Sequence, residues 1–508
     1  MDNNVRVDRT MFLTTVLVIL FVAIPIIGFN EQSGLFITQL YNKITTNFGF
    51  VYQWYTIGIF GFLVWLASSR FGAIRFGDKD DRPEFGSLNW ISMIFCAGVG
   101  AGMLYWALIE WSYYLQTPPR NLAEGSREAV EWAAAYPLFH WGVSAWAIYC
   151  LPAIAIAYPY YVRKNPHLRL STGCGYFLPA GASSGRARFV DFLYMLNLIG
   201  GTGTSLGLST PMIAASVSEL TGIDHNFLLE LWVVVVCVAI FGASAYLGIQ
   251  KGFKRLADIN LYVAFGLLFF ILAVGPTLFI LKMGTNSIGL VLQNFIHMNF
   301  WTDPVEGSGF VESWTVFYWA WWIAYGPFVG IFVARISRGR TIRGVIIGML
   351  TYGTLGAWLF FIVFGNYALH LQINDLLDVQ AIIDRTGEAA AIAQMMLALP
   401  LGKFALFLFL IMAVVFLATT YDSASFTLAS VSTLELKAGE NPARWHRVFW
   451  AVALGVIPVC LLFIDGGIRV ILSATVVVSL PLIIVGVLMC ISLVKMLQED
   501  HPLIGIKS

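Results

Sequence analysis

Charged side chains are scarce in this chain of 508 residues. Asp, Glu, Lys and Arg together make up 12% of it, whereas 58% of the residues are hydrophobic and the mean hydropathy is +0.76. Soluble proteins carry about 25% charged residues, so the composition excludes an ordinary soluble protein and indicates a membrane protein. A formal net charge of +1 leaves no basic surface for a nucleic acid.

Cysteine motifs and long polar segments are also missing. The six cysteines include no C-x-x-C pair, which disfavours a disulfide framework and a structural zinc site. We expect residues 1–10 and 495–508 to form short cytoplasmic tails. Neither tail is long enough to bury a hydrophobic core of its own. No soluble domain is therefore predicted.

Long apolar runs fill the rest of the chain, each close to the roughly 20 residues that cross a ~30 Å hydrocarbon core as a helix. They predict an all-α membrane protein with twelve transmembrane helices, at about 11–29, 49–69, 88–115, 133–162, 189–217, 231–247, 256–281, 311–334, 344–364, 404–431, 448–464 and 470–494. Most of the 30 Lys and Arg residues then fall on one side. The positive-inside rule predicts that both termini are cytoplasmic, in the cell inner (plasma) membrane. Short surface helices are expected near 285–298 and 371–390.

Two of these runs carry helix-breaking residues near their centres. The third contains the glycine-rich stretch Gly98–Gly102, and the eighth contains Gly326–Gly330 with Pro327. We expect both helices to be broken there, because such backbone is tolerated at membrane depth where it lines a cavity. The breaks lie five spans apart, an odd number, which predicts an inverted repeat with a binding site at the breaks. Packing of small residues between helices is the alternative.

Aromatic residues cluster near the middle of the fourth and eighth runs rather than at their ends. Trp141, Trp146 and Tyr149 lie in the fourth, and Trp322 and Tyr325 in the eighth. A quaternary ammonium cannot donate a hydrogen bond and is held by aromatic faces, so the clusters predict a site for such a cation. Plain core packing is the alternative.

The predicted spans contain no Lys or Arg that could bind a substrate carboxylate. The N–H groups near Gly98 and Gly100, at the break in the third span, could bind it with help from the helix dipole. Intramembrane acids are functional candidates by default. The candidates here are Glu110 and Asp422, and for Asp422 a structural hydrogen-bonding role is favoured over a functional one. His140 is either a proton relay or a packing residue.

The aromatic run Trp314–Trp322 and the arginine-rich loop Ala334–Arg343 resemble the signature of the betaine/carnitine/choline transporter family. The glycine stretch at 98–102, Gly203–Gly207 and Gln250–Gly252 match other family motifs in order. The resemblance implies a LeuT-like fold with two lead helices (11–87), a five-plus-five inverted repeat (88–282 and 311–494) and an amphipathic connection (283–310), assembled as a homotrimer. It also implies an aromatic box for a betaine, carnitine or choline-type substrate, made of Trp141, Trp146, Tyr149 and Trp322 with Tyr325 nearby.

The resemblance bears on coupling as well. Sodium-coupled betaine symporters carry hydroxyl residues in the tenth span, matched here by Thr419 and Thr420. Because sodium prefers oxygen ligands, the predicted site adds the carbonyls of Phe416, Cys96 and Val99, and no other cofactor is expected. Threonines that simply bond back to their own helix are the alternative.

Other sequence features resemble those of the sodium-independent carnitine/γ-butyrobetaine antiporters. The end of the third span resembles that branch, and the resemblance implies that Tyr113 lines the substrate site. The methionine and arginine that replace sodium in those antiporters correspond to Val329 and Asn260 here. The sequence therefore favours sodium symport with exchange as the alternative. A membrane enzyme or a channel is disfavoured, since no nucleophile–base pair, metal cluster or selectivity filter is evident.

Overall fold

The computed structural model describes residues 6–78, 80–98, 100–178, 184–247, 250–434, 436, 441–462 and 467–502. Within these ranges the chain folds into twenty α-helices, and the only extended pairings are two isolated bridges, Val7 with Thr433 and Arg75 with Thr341. The helices are α1 (Arg9–Gly28), α2 (Asn30–Ser68), α3 (Ser87–Gly98), α4 (Ala101–Gln116), α5 (Arg127–His140), α6 (Val143–Tyr161), α7 (Leu170–Gly173), α8 (Gly185–Thr221), α9 (Phe227–Leu247), α10 (Gln250–Val274), α11 (Thr277–Phe300), α12 (Phe317–Ile336), α13 (Ile342–Gly348), α14 (Thr354–Phe360), α15 (Asn366–Ile373), α16 (Val379–Thr386), α17 (Glu388–Leu397), α18 (Gly402–Val431), α19 (Arg444–Leu462) and α20 (Gly467–Asp500).

Several helices can cross a membrane. In the described part of the chain, seven helical segments are long and apolar enough by length and composition, and the pair α10–α11, bent by 110°, makes an eighth candidate. The all-helical, multi-pass character predicted from the sequence is confirmed. A helix does form at 285–298, as part of α11, and α15, α16 and α17 cover 371–390 apart from short turns.

The helices that carry the aromatic clusters lie at the centre. The helix α12 packs along α6, and both are almost entirely buried. The helices α2 and α20 pack against both members of this pair and α8 packs against α12, while α18 packs against α8, α9, α10 and α19. Large apolar side chains are exposed on α1 and α2, for example Leu17, Phe21 and Phe36, which suits helices that face lipid.

The predicted break in the third span is confirmed. The helix α3 ends at Gly98 and α4 begins at Ala101. Between them Gly100 is extended, with φ −133° and ψ 174°, and Val99 lies outside the described residues. The first N–H groups of α4 therefore have no partner within their own helix.

The predicted break in the eighth span is wrong. The helix α12 runs without interruption through Gly326–Gly330, with Pro327 inside it. The glycine at 330 serves close packing instead, because a β-carbon added there would lie 2.7 Å from Pro152 of α6. The matched pair of breaks thus reduces to one, and the small-residue alternative holds for this helix.

The fourth span has an interruption that the sequence analysis missed. The helix α5 ends at His140 and α6 begins at Val143, so Trp141 and Gly142 lie between two helices. Trp141 and Tyr149 therefore do not lie on one continuous helix. Pro137 and Gly142 are the sequence signals, since proline removes a hydrogen bond and glycine allows unusual backbone.

The contact at Gly330 gives a test of this packing. Gly330→Ala should lower the melting temperature in detergent, because overpacking a tight contact costs about 1–3 kcal/mol. Gly326→Ala is the matched control one turn earlier, where the new methyl group would meet its nearest neighbours at an ordinary 3.5 Å. Equal melting temperatures for the two variants would contradict a special role for Gly330.

Candidate functional site

The ring of Trp322 contacts two other buried aromatic rings where the α5–α6 interruption meets α12. The ring centroids of Trp141 and Trp322 are 4.6 Å apart in an edge-to-face arrangement. Tyr149 of α6 contacts Trp322 at 5.6 Å, also edge to face. We call Trp141, Tyr149 and Trp322 the aromatic box. Their faces carry the negative quadrupole that attracts a cation.

The other two aromatic residues predicted on these helices border the box. Trp146 contacts Tyr149 at 5.6 Å, and its indole fills the space left by Gly353, where a β-carbon would lie 2.2 Å from the ring. Tyr325 of α12 lies 6.5 Å from Tyr149. The structure therefore brings together all five aromatic residues that the sequence analysis selected on these helices.

Backbone carbonyls freed at the α5–α6 interruption hold two indoles in place. Trp322 donates its indole N–H to the carbonyl of His140 at 2.9 Å. Trp358 of α14 donates to the carbonyl of Leu138 at 2.7 Å. The orientation of the Trp322 ring is thus fixed by a hydrogen bond to backbone as well as by packing.

A buried carboxylate lies directly behind the box. Glu110 of α4 is fully buried, and it accepts the indole N–H of Trp141 at 2.9 Å. It also accepts the hydroxyl groups of Tyr318 and Tyr114, each at 2.6 Å. Sequence analysis singled out Glu110 as an acid at membrane depth but did not foresee its contact with the box.

Trp321 joins the box to the start of α4. Its ring stacks on Trp322, with centroids 4.9 Å apart and planes 13° from parallel. A β-carbon added at Gly102, in the first turn of α4, would lie 3.7 Å from the same ring and 3.5 Å from Ser205 of α8. The predicted stretch at Gly98 and Gly100 therefore ends beside the box. Sequence analysis missed Trp321 as a site residue although it lies in the aromatic run.

Tyr113, expected to line the site, belongs to a neighbouring aromatic group. It contacts Trp314 at 5.0 Å and Trp106 at 6.1 Å. Its hydroxyl donates to Glu388 at 2.7 Å. Trp106 contacts Trp321 at 6.4 Å, and Trp321 stacks on Trp322, so two rings, Trp106 and Trp321, separate Tyr113 from the box.

Thr420, one of the candidate sodium ligands, lies beside the break between α3 and α4. A β-carbon added at Gly100 would lie 3.5 Å from its hydroxyl oxygen. Cys96 is in the last turn of α3, where backbone carbonyls lack intrahelical partners. Val99 lies outside the described residues.

Thr419 adopts the alternative that sequence analysis left open. Its hydroxyl donates to the carbonyl of Val415 at 2.9 Å and to that of Phe416 at 3.0 Å. Both bonds lie within α18. The Phe416 carbonyl is thus close to the Thr419 hydroxyl, and the hydroxyl proton is directed at the helix's own backbone.

Asp422, the other acid considered, pairs with a buried arginine. Arg447 of α19 lies 3.8 Å from its carboxylate, and the same guanidinium lies over the ring of Phe426 at 5.4 Å. These contacts join α18 to α19, in agreement with the structural role that the sequence analysis favoured.

Comparison with known proteins agrees with these features. The sequence profile described as "BCCT, betaine/carnitine/choline family transporter" matches residues 10–502. An uncharacterized transporter, YeaV of Escherichia coli (strain K12), is 37% identical over 441 residues, which cover 87% of this chain and 91% of that protein. A carnitine transporter of Acinetobacter baumannii is 34% identical over 514 residues, which cover 99% of this chain and 91% of that protein.

Proposed function

The chain belongs to the betaine/carnitine/choline transporter family, and from this premise we propose that it takes up a zwitterion of the betaine or carnitine class. The name of the Acinetobacter baumannii relative supports the carnitine class. Uptake would occur by alternating access across the inner membrane. The family resemblance supports twelve spans with cytoplasmic termini, two lead helices, a LeuT-like five-plus-five repeat and a homotrimer.

One observation carries this proposal: the aromatic box lies close to the N-terminus of α4. Trp321 lies between them, since its ring stacks on Trp322 and is next to Gly102 in the first turn of α4. The box suits a trimethylammonium group, which offers no hydrogen-bond donor and is attracted to ring faces. The N–H groups and dipole at the start of α4 suit a carboxylate. A zwitterion spanning the two would need no lysine or arginine in the site.

For coupling we propose sodium symport. The hydroxyl of Thr420 faces the break that ends α3, and carbonyl oxygens are the ligands a hard cation prefers. Asn260, at the position where the antiporter branch carries arginine, is buried and donates to the Met412 carbonyl of α18 at 3.3 Å. An amide at position 260 places no fixed positive charge beside the Met412 carbonyl.

Sodium-independent exchange of carnitine type is the second candidate. The observation that favours it is Thr419, whose hydroxyl is already shared between two carbonyls of its own helix. A sodium ion would have to bind the oxygen lone pairs while these bonds remain. The likeness of Tyr113 and its neighbours to the antiporter branch points the same way.

The role of the box is tested at Trp322. Trp322→Ala should weaken substrate binding by about 2 kcal/mol, roughly 30-fold, because a desolvated cation–π contact is lost. Trp322→Phe should keep part of the affinity, and Trp322→Leu should not. Binding is measured by competition with a radiolabelled betaine or carnitine on purified protein.

Trp450→Phe is the matched control for this series, since Trp450 is fully buried in α19 and outside the box. It should leave substrate affinity unchanged. Equal losses for Trp322→Phe and Trp322→Leu would indicate that the ring only fills space.

The role of the α4 N-terminus is tested with ligands. Choline, which has no carboxylate, should bind more weakly than betaine or carnitine, because the N–H groups at the start of α4 would lose their anion. A competition panel against one radiolabelled betaine measures this. Choline binding as tightly as the zwitterions would remove the carboxylate from the proposal.

Sodium coupling is tested by uptake into proteoliposomes. Uptake should rise with an inward sodium gradient and fall when potassium replaces sodium. Thr419→Ala and Thr420→Ala should each raise the sodium concentration for half-maximal uptake, because each removes an oxygen ligand.

Thr427→Ala is the control on the same helix, where the hydroxyl donates to the carbonyl of Ser423 at 2.9 Å and the residue is half-buried. It should leave the sodium dependence unaltered. Transport that ignores sodium but accelerates with unlabelled substrate on the far side would identify the exchanger.

A further inference from the structure

The carboxylate behind the box is surrounded by hydrogen-bond donors. Three donors converge on the two oxygens of Glu110, from Trp141 at 2.9 Å and from Tyr114 and Tyr318 at 2.6 Å. This is the pattern that an ionised carboxylate accepts. Among the ion pairs of the described residues, Glu110 meets no lysine or arginine, and His140 is its basic neighbour at 3.5 Å.

The hydrogen-bond network fits a neutral His140. Tyr114 gives its proton to Glu110, so its oxygen accepts the Nδ1–H of His140 at 2.8 Å. The other ring nitrogen, Nε2, then accepts the hydroxyl of Thr315 at 3.1 Å. Every contact is satisfied with one proton on the imidazole, which leaves the negative charge of Glu110 in place.

The two tryptophans of the box donate their indole N–H groups to different kinds of acceptor. Trp141 donates to the charged Glu110, whereas Trp322 donates to the neutral carbonyl of His140. Hydrogen bonds in a low-dielectric interior polarise the groups that they join. A carboxylate that pulls on the indole proton shifts electron density into the ring and makes its face more attractive to a cation.

We propose that Glu110 is a specificity-determining residue for the substrate's cationic head. Its charge reaches the aromatic box through the N–H of Trp141, and it makes the box prefer a cation to a neutral group of the same shape. Of the box residues Glu110 contacts Trp141, and because it acts through that ring it is a positioning residue. This inference rests on the proposed function, in which the box holds a quaternary ammonium.

The test compares carnitine with its carbon analogue, in which a tert-butyl group replaces the trimethylammonium group. The two differ in charge but hardly in shape, so the ratio of their affinities reports the electrostatic part of binding. Glu110→Gln keeps the size and an acceptor oxygen for Trp141 while removing the charge. The ratio should fall about tenfold, mainly through weaker carnitine binding.

Tyr114→Phe is the matched control, because it removes one donor from Glu110 but leaves its charge and the Trp141 bond. Its affinity ratio should stay within about twofold of the wild-type ratio, well short of the tenfold loss that a missing charge would cause. A fall as large as that of Glu110→Gln would mean that disturbing the network, rather than the charge, lowers the ratio, and would overturn the inference.

A second measurement holds even if Glu110→Gln does not fold. Benzothienylalanine, introduced by amber suppression, keeps the shape of tryptophan but has sulfur in place of the N–H. At position 141 it should lower the affinity ratio several-fold more than at position 322, whose N–H meets a neutral carbonyl. Equal effects at the two positions would overturn the inference that the charge of Glu110 acts on the box through the N–H of Trp141.

The affinity ratios of the wild-type protein and of Glu110→Gln distinguish a wrong role for Glu110 from a wrong proposed function. A wild-type ratio near one would show that the box holds no cation, and both would fall. A large wild-type ratio that survives Glu110→Gln would leave the function standing and overturn the role of Glu110.

Discussion

The hydrocarbon core offers no water, so backbone groups released where a helix stops must find partners in the protein. This constraint arranges the site. At the end of α5 the carbonyls of Leu138 and His140 are met by the indole N–H groups of Trp358 and Trp322. One tryptophan thus satisfies the backbone with its N–H and forms the aromatic box with its ring. The interruption and the box are thus joined by the hydrogen bond from Trp322 to His140.

Glycine on facing helices sets how closely these bulky rings can approach. A β-carbon at Gly353 would lie 2.2 Å from the ring of Trp146, and one at Gly348 would lie 2.3 Å from that of Trp90. At Gly330 the same argument applies to Pro152. The close fit of large against small side chains supplies the packing that helix association in a membrane relies on. It fixes α6 and α12 at the separation that the box requires.

The sequence predicted what depends on local composition and missed what depends on tertiary contacts. Apolar runs predicted the helical, membrane-spanning character, and glycines at 98–102 predicted the end of α3. The same residue type misled at Gly330, because glycine permits both a break and a close contact, and only the neighbouring α6 decides between them. Trp141 was selected from its position near the middle of the fourth run, and its place between α5 and α6 was not foreseen. No periodicity could have indicated that Glu110, 31 residues earlier, accepts its N–H.

The contacts within the box bear on how a transporter can bind its substrate and still release it. The rings of Trp141, Tyr149 and Trp322 meet edge to face, and such aromatic pairs contribute about 0.5–1.5 kcal/mol each. A trimethylammonium group enters only by separating them, which exchanges ring–ring contacts for cation–π contacts worth about 0.5–2 kcal/mol each. The two sets are similar in size, so occupancy depends on a modest difference between them. A charge that strengthens one ring face shifts this balance towards binding without making release prohibitive, and Glu110 is placed to supply it.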